Sequence, residues 1–230
     1  MFNRTIINDL KHWKEQKDRK PLMMLGARQV GKTSVLKRFG RECFEHCVYF
    51  SLDEEAGVCD IFRTTKNPTQ IIEQLSYLTD EPILPEKTLL VLDEIQDCPE
   101  AISSMKYFCE KTPEYAIACA GSLLGLAFGH EGFSFPVGKV DHINMYPVTF
   151  SEFLEQKDSG LYRYYKSIDS IEPLPQVFFD RLSQAFTAYR ISGGMPEAAM
   201  KMIEVDMKGV ETKLQNILQD YTLDFVKHAT

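Results

Sequence analysis

The chain has 230 residues, with 26 Lys and Arg against 33 Asp and Glu, and a formal net charge of −7. This length accommodates one α/β core with a small appendage, and a composition 44% hydrophobic and 26% charged is that of ordinary globular domains. No apolar run approaches the roughly 20 residues of a membrane span, and the N-terminus has no signal-peptide core, so a cytoplasmic location without membrane partners is expected.

The charge is uneven. Residues 1–41 hold 11 Lys and Arg against 3 Asp and Glu, a balance of +8, and the remainder, with 15 against 30, carries −15. That distribution excludes a uniformly basic nucleic-acid binder. The basic N-terminal residues Lys11, Lys14, Lys17, Arg19 and Lys20 read as a solvated helix face or a local nucleic-acid or partner patch.

Residues 4–16 predict a helix with Ile6, Ile7, Leu10 and Trp13 along one stripe. The apolar run Pro21-Leu22-Met23-Met24-Leu25 predicts a buried strand. Directly after it, Gly26-Ala27-Arg28-Gln29-Val30-Gly31-Lys32-Thr33 spells G-x-x-x-x-G-K-[ST], the phosphate-binding loop. Gly26 and Gly31 admit tight backbone geometry, so that successive N–H groups can cradle a phosphate. Lys32 is suited to the β- and γ-phosphate oxygens, and the Thr33 hydroxyl to Mg²⁺. A helix beginning near Lys32, carrying Ser34 and burying Val35, Leu36 and Phe39, offers its positive dipole end to the anion.

Cys47 to Leu52 predict a second strand, and Asn67-Pro68 an N-cap with a first-turn proline. The helix so opened turns Ile71, Leu75 and Leu78 inward. Thr88 to Leu92 predict a third strand, with Asp93 and Glu94 at its carboxyl end, where open α/β sheets bind ligands. Asp93 is suited to hold Mg²⁺, through water, and Glu94 to polarise an attacking water. Asp97-Cys98-Pro99-Glu100 reads as a capping box with Asp97 as cap, opening a helix that buries Ile102, Met105 and Phe108. Residues 115–120 predict a fourth strand broken by Gly121-Ser122, and residues 139–146 a fifth.

From about Phe150 the pattern is helical only. Phe178, Leu182, Phe186 and Tyr189 form one stripe; Val210, Leu214, Ile217, Leu218, Tyr221 and Phe225 form another. Between them, Ser192-Gly193-Gly194-Met195-Pro196 reads as a helix stop followed by a helix start. Two parts are therefore expected: a nucleotide-binding core over 1–149 and an α-helical subdomain over 150–230. Alternation of strand and helix in the first predicts a parallel sheet with right-handed crossovers. The six cysteines, Cys43, Cys47, Cys59, Cys98, Cys109 and Cys119, contain no C-x-x-C pair, and reduced thiols are the expected state.

These residues resemble the AAA+ group of P-loop ATPases. More narrowly, they are similar to a bacterial and archaeal family in which an ATPase core precedes a C-terminal domain of unknown function. The resemblance rests on residues 26–33 and Leu92-Asp93-Glu94-Ile95-Gln96, with further matches at 106–110, 120–125, 135–140, 147–154, 193–197 and near Asp224-Phe225. It implies a three-layer αβα sandwich with a five-stranded parallel sheet of order 5-1-4-3-2 and a helical lid. It implies MgATP as ligand, with Gly26 to Ser34 binding nucleotide, Thr33 and Asp93 holding the metal, and Lys32, Glu94 and Ser122 acting in catalysis, Ser122 as γ-phosphate sensor. At the stretch where relatives supply an arginine finger this chain has Lys139, which carries charge without the planar fork.

The relatives extend beyond residue 230, so a missing C-terminal domain, or self-association through the stripe around Leu218, is expected. The leading expectation is an ATPase that couples hydrolysis to movement of the lid and an attached domain. A nucleotide-binding module without turnover and a P-loop small-molecule kinase are the alternatives. A GTPase is disfavoured because Gly138-Lys139-Val140-Asp141 lacks the amide of the N-K-x-D pattern.

Overall fold

The computed structural model describes residues 2–122 and 135–228, with side chains as far as residue 223; the expectations at 123–125 and at Phe225 lie outside these. Contacts divide the chain into a sheet unit, residues 6–27 and 31–145, and a helical unit, residues 1–5, 28–30 and 146–230.

The sheet unit contains α1 (Ile6–Glu15), β1 (Leu22–Gly26), α2 (Lys32–Cys43), β2 (His46–Ser51), α3 (Ala56–Thr64), α4 (Pro68–Ser76), β3 (Thr88–Asp93), α5 (Pro99–Lys111), β4 (Ala116–Ser122) and β5 (Asp141–Met145). All the strand pairings are parallel, in the order β2-β3-β4-β1-β5, the order expected from the resemblance. A parallel sheet is covered on both faces, so its central strands are apolar throughout. Every residue of β3 and β4 is buried.

The pleat sorts these side chains. Met23, Leu90, Leu92, Ile117 and Cys119 share a core with Val58 and Phe62 of α3, Ile71 and Leu75 of α4, and Ile102, Met105 and Phe108 of α5. Leu89 faces the other way, toward α2, where its side chain lies within reach of Gly40. There Trp13 of α1 and Phe39 of α2 meet with ring centroids 6.3 Å apart.

Several local expectations are corrected. A helix over 56–64 was not anticipated, although Val58, Ile61 and Phe62 have helical spacing. Leu78 points out, 54% exposed, because α4 ends at Ser76. Asp97 is not a cap: it ends a 3₁₀ turn, Ile95–Asp97, and Cys98 precedes α5 without a side-chain cap bond. Gly121 and Ser122 do not break β4; they continue it, in register with Leu25 and Gly26 of β1.

The helical unit contains α6 (Phe150–Lys157), α7 (Ser159–Lys166), α8 (Gln176–Ser192), α9 (Pro196–Ile203) and α10 (Met207–His228). Thr149 and Glu152 form a capping box that starts α6. Gly193 and Gly194 both take positive φ, 63° and 70°, which closes α8 and lets Pro196 open α9. At Gly194 a Cβ would strike the Val148 carbonyl, and Val148 N–H donates to Gly194 O at 2.8 Å. One core joins Phe2, Val148, Phe153, Ala198, Ala199, Met202 and Val210; another joins Leu154, Leu161 and Ala185 with flanking aromatics. On α10, Val210 and Ile217 are buried while Leu218 is 68% exposed.

Candidate functional site

The phosphate loop begins where β1 ends. Gly26 is fixed by its surroundings, since a Cβ there would collide with the backbone carbonyl of Met145 on the neighbouring β5. Gly31 precedes α2 with φ 94°, a left-handed conformation that L side chains rarely adopt. Gln29 is also left-handed, at φ 62°. Left-handed residues alternating with right-handed ones turn successive amides to one side and form an anion-binding concavity.

Lys32, on the first turn of α2, is almost fully buried, and its ammonium donates to the carbonyls of Gly26 at 3.0 Å and Ala27 at 2.8 Å. The loop's own backbone thus holds the cation over its base. Thr33 Oγ1 donates to Asp93 Oδ2 at 2.5 Å, joining the two residues that the sequence nominates for the metal. Asp93 is buried at the end of β3, and a second donor, Tyr49 Oη of β2, meets the same oxygen at 3.0 Å. Burial, together with the adjacent Asp93 carboxylate, pushes the Tyr49 phenol up to about 12, so it stays protonated and remains a donor. Ser34 is exposed on the first turn of α2. The Thr33 hydroxyl and the Asp93 carboxylate are hard oxygen donors in contact, and this pair fits Mg²⁺, which takes few protein ligands and keeps much of its water.

Glu94 adopts φ 49° and ψ 47°, a left-handed backbone unusual for a residue with a side chain. Its carboxylate accepts a hydrogen bond from Gln96 Nε2 at 2.6 Å. The other end of the same amide, Oε1, accepts from Ser122 N–H at 3.3 Å. Gln96 therefore links Glu94 on β3's exit to Ser122 on β4's exit. The sequence assigns roles to Glu94 and Ser122, but none to Gln96, which appears only within the matched segment 92–96, or to Tyr49. Gln96 lies two residues beyond Glu94, in the turn Ile95-Gln96-Asp97, and that spacing is the one available signal. Tyr49 gives none, because its contact depends on which strands are neighbours. Lys139 is engaged elsewhere, donating to Glu110 at 2.8 Å; the hydrogen bond from Lys139 holds Glu110 below the usual carboxylate range.

A parallel sheet of this strand order, with a glycine loop leading into α2 and an acidic pair closing β3, defines a P-loop nucleoside triphosphatase fold. The chain belongs to the AAA domain family, whose sequence pattern matches residues 18–154. It is thereby an AAA+ type P-loop ATPase, a nucleotide-binding protein in general terms. Among solved structures, a point mutant of Thermotoga maritima RuvB is similar with a TM-score of 0.52 at 14% identity, over 88% of this chain and 61% of that one. Replication initiator DnaA bound to AMPPCP and single-stranded DNA aligns over 98% of this chain and 68% of its own, at 15% identity and a TM-score of 0.49. PCH-2 of C. elegans aligns over 92% and 68%, at 12% identity and 0.43. At such identities the RuvB likeness speaks to the fold, and this chain spans less than two thirds of that RuvB chain. No curated protein matches the sequence. Among the described residues, no helix is long and apolar enough to cross a membrane.

Proposed function

We propose that this chain binds MgATP in the loop at 26–33 and hydrolyses it to ADP and phosphate. The observation that carries the reading is the bond of Thr33 to Asp93, beside a lysine already folded over the loop. The amides from Gly26 to Ser34 and the N-terminus of α2 hold the phosphates. Lys32 exchanges its bonds to the carbonyls of Gly26 and Ala27 for the β- and γ-phosphate oxygens. When bound by Thr33 and Asp93, Mg²⁺ supplies charge neutralisation on those oxygens.

Glu94 takes a proton from the water that attacks the γ-phosphorus. The new bond is water oxygen to phosphorus; the bond that breaks is the one from phosphorus to the β–γ bridging oxygen, which leaves with ADP. Gln96 holds Glu94 in place through its amide nitrogen, and Ser122 senses the γ-phosphate at the neighbouring strand end. Residues 150–230 act as a lid, and the cycle drives their movement and that of any domain attached to them. The cytoplasm is the proposed compartment.

Phosphate release from ATP by the full chain, with and without Mg²⁺, tests this. Metal-dependent release without an added acceptor supports it. Release of ADP only when a small-molecule acceptor is present would make the protein a kinase, and an ATP-induced rise in melting temperature without turnover would make it a binding module.

A further inference from the structure

The middle residues of the phosphate loop, Arg28 to Val30, group with the helical unit rather than with the sheet, and there they are held from outside. Arg4 is 8% exposed. Its guanidinium donates from Nη1 to Val30 O at 3.0 Å and from Nη2 to Tyr146 O at 2.6 Å, while Nε lies 3.2 Å from Glu152 Oε2. Glu152, 3% exposed, is satisfied on every side. Oε1 accepts from the Thr5 amide at 2.7 Å and hydroxyl at 2.8 Å, and Oε2 from the Thr149 amide at 2.9 Å. On α10, Tyr221 Oη donates to Arg28 O at 3.2 Å, and Asp220 Oδ2 accepts from Gln29 Nε2 at 2.6 Å.

The pattern is specific. A phosphate nest turns amide N–H groups toward the anion, and the carbonyls of the same peptides must then face away. Arg28 and Val30 flank left-handed Gln29, a conformation sparsely populated for a residue with a side chain. The outward carbonyls of both flanking residues are the ones bonded, by Tyr221 and by Arg4. A planar fork spreads its N–H groups over three nitrogens and so meets a carboxylate and two carbonyls along separate fixed directions, whereas a lysine's three N–H groups radiate from a single nitrogen. A purely packing role would be served as well by an apolar side chain, since a buried ion pair is weak evidence for stability.

We propose that Arg4 is a positioning residue of the phosphate loop, keeping the Val30 carbonyl turned outward so that the loop's amides stay aimed at a bound phosphate, with Tyr221 doing the same at Arg28. This rests on the loop being the nucleotide site. It makes Arg4, far from the motif in sequence, part of the binding apparatus through the backbone it holds.

The test compares wild type, Arg4→Lys and Tyr221→Phe in the full chain by three measurements. These are hydrogen exchange of the amides of residues 27–31 without nucleotide, the MgADP dissociation constant by calorimetry, and the melting temperature without nucleotide. Arg4→Lys keeps a charge for Glu152 and loses the fork. It should speed exchange in the loop and weaken MgADP about tenfold, the factor that one charge-assisted hydrogen bond is worth. Tyr221→Phe, which alters only one partly buried hydroxyl, should shift both readouts the same way and less. A lowered melting temperature with loop exchange and affinity unchanged in both variants would overturn the role. A wild type that ignores MgADP would bring down the nucleotide reading, and this one with it. Unaltered variants beside a binding wild type would bring down the positioning role of Arg4 and Tyr221 and leave the nucleotide reading standing.

Discussion

Gly26, Ala27 and Gly31 to Thr33 are held by the sheet, whereas Arg28 to Val30 are held by Arg4 and by α10. The first group holds the four fixed letters of the motif together with Ala27, and the second holds the other three free ones. In the proposed function Lys32 and Thr33 act through the chemistry of their own side chains, and Gly26 and Gly31 through lacking one. Arg28, Gln29 and Val30 contribute backbone, and what fixes that backbone lies far off in sequence, at residues 4, 220 and 221. A position that a motif leaves open can therefore be as constrained as one it specifies, by partners that the motif does not mention.

Substitutions at strand ends and at the loop's base should therefore alter the chemistry and the charge offered to a ligand, while those in the helical unit should act through the geometry of the loop and through stability. The largest effect is expected at Glu94. Glu94→Gln should bind ATP as the wild type does in calorimetry and lose about 10²–10⁴-fold in steady-state phosphate release, the usual worth of a positioned base. Retained turnover would move water activation to another group. Next comes Lys32→Ala. ATP at about 100 times its dissociation constant should stabilise the wild type by about 2.7 kcal/mol, and the variant should lose most of that gain in a melting experiment. An undiminished shift would remove Lys32 from the phosphates.

In the helical unit the expected effect depends on pH. Burial pushes the Glu152 carboxyl up, but the Thr149 and Thr5 amides and the Arg4 charge outweigh it and hold the group below its ordinary 4.5. A carboxyl depressed in the folded state contributes stability that is fully present above 4.5 and is lost as pH falls through the lower folded value. Acid unfolding followed by circular dichroism should therefore steepen below pH 4.5 in the wild type and be flatter in Glu152→Gln. An identical acid limb in both would show that Glu152 titrates without consequence. The smallest effect is expected at Lys139. Its pair with Glu110 is exposed on both sides, and such pairs are screened by water and salt. Lys139→Ala should leave melting temperature and turnover where they were; a loss of turnover at high protein concentration would instead mark Lys139 as a group supplied to a neighbouring copy.

The sheet was legible because strands buried on both faces read as unbroken apolar runs, and because the glycine loop and the Asp93-Glu94 pair sit at strand ends. Signals judged from a few residues failed where the chain did something tighter. Leu78 continues the spacing of Ile71 and Leu75, but the Tyr77 amide already bonds back to Gln74 and ends α4. Asp97 has the neighbours of a cap, but a 3₁₀ turn uses it up before α5 begins. The helix at 56–64 starts directly after Asp53-Glu54-Glu55 with no side-chain cap bond at Glu55 to mark its beginning. Tyr49, Gln96 and Arg4 were missed for a different reason. Each matters through a partner fixed by topology, and no local pattern records that β2 lies beside β3, that β4 follows β3 in the sheet, or that Val30 is reached from residue 4.

Gly26 separates two demands that usually coincide. In the proposed function its missing side chain serves the phosphate, but it also lets β1 and β5 close, because any Cβ would meet the Met145 carbonyl. Substitution there strikes assembly of the sheet before any ligand arrives, whereas loss of Lys32 leaves the backbone path open. Scored for cellular abundance and for ligand capture separately, position 26 would fail on both counts and position 32 only on the second. The opening glycine of this loop is thus required by the architecture as much as by the proposed activity.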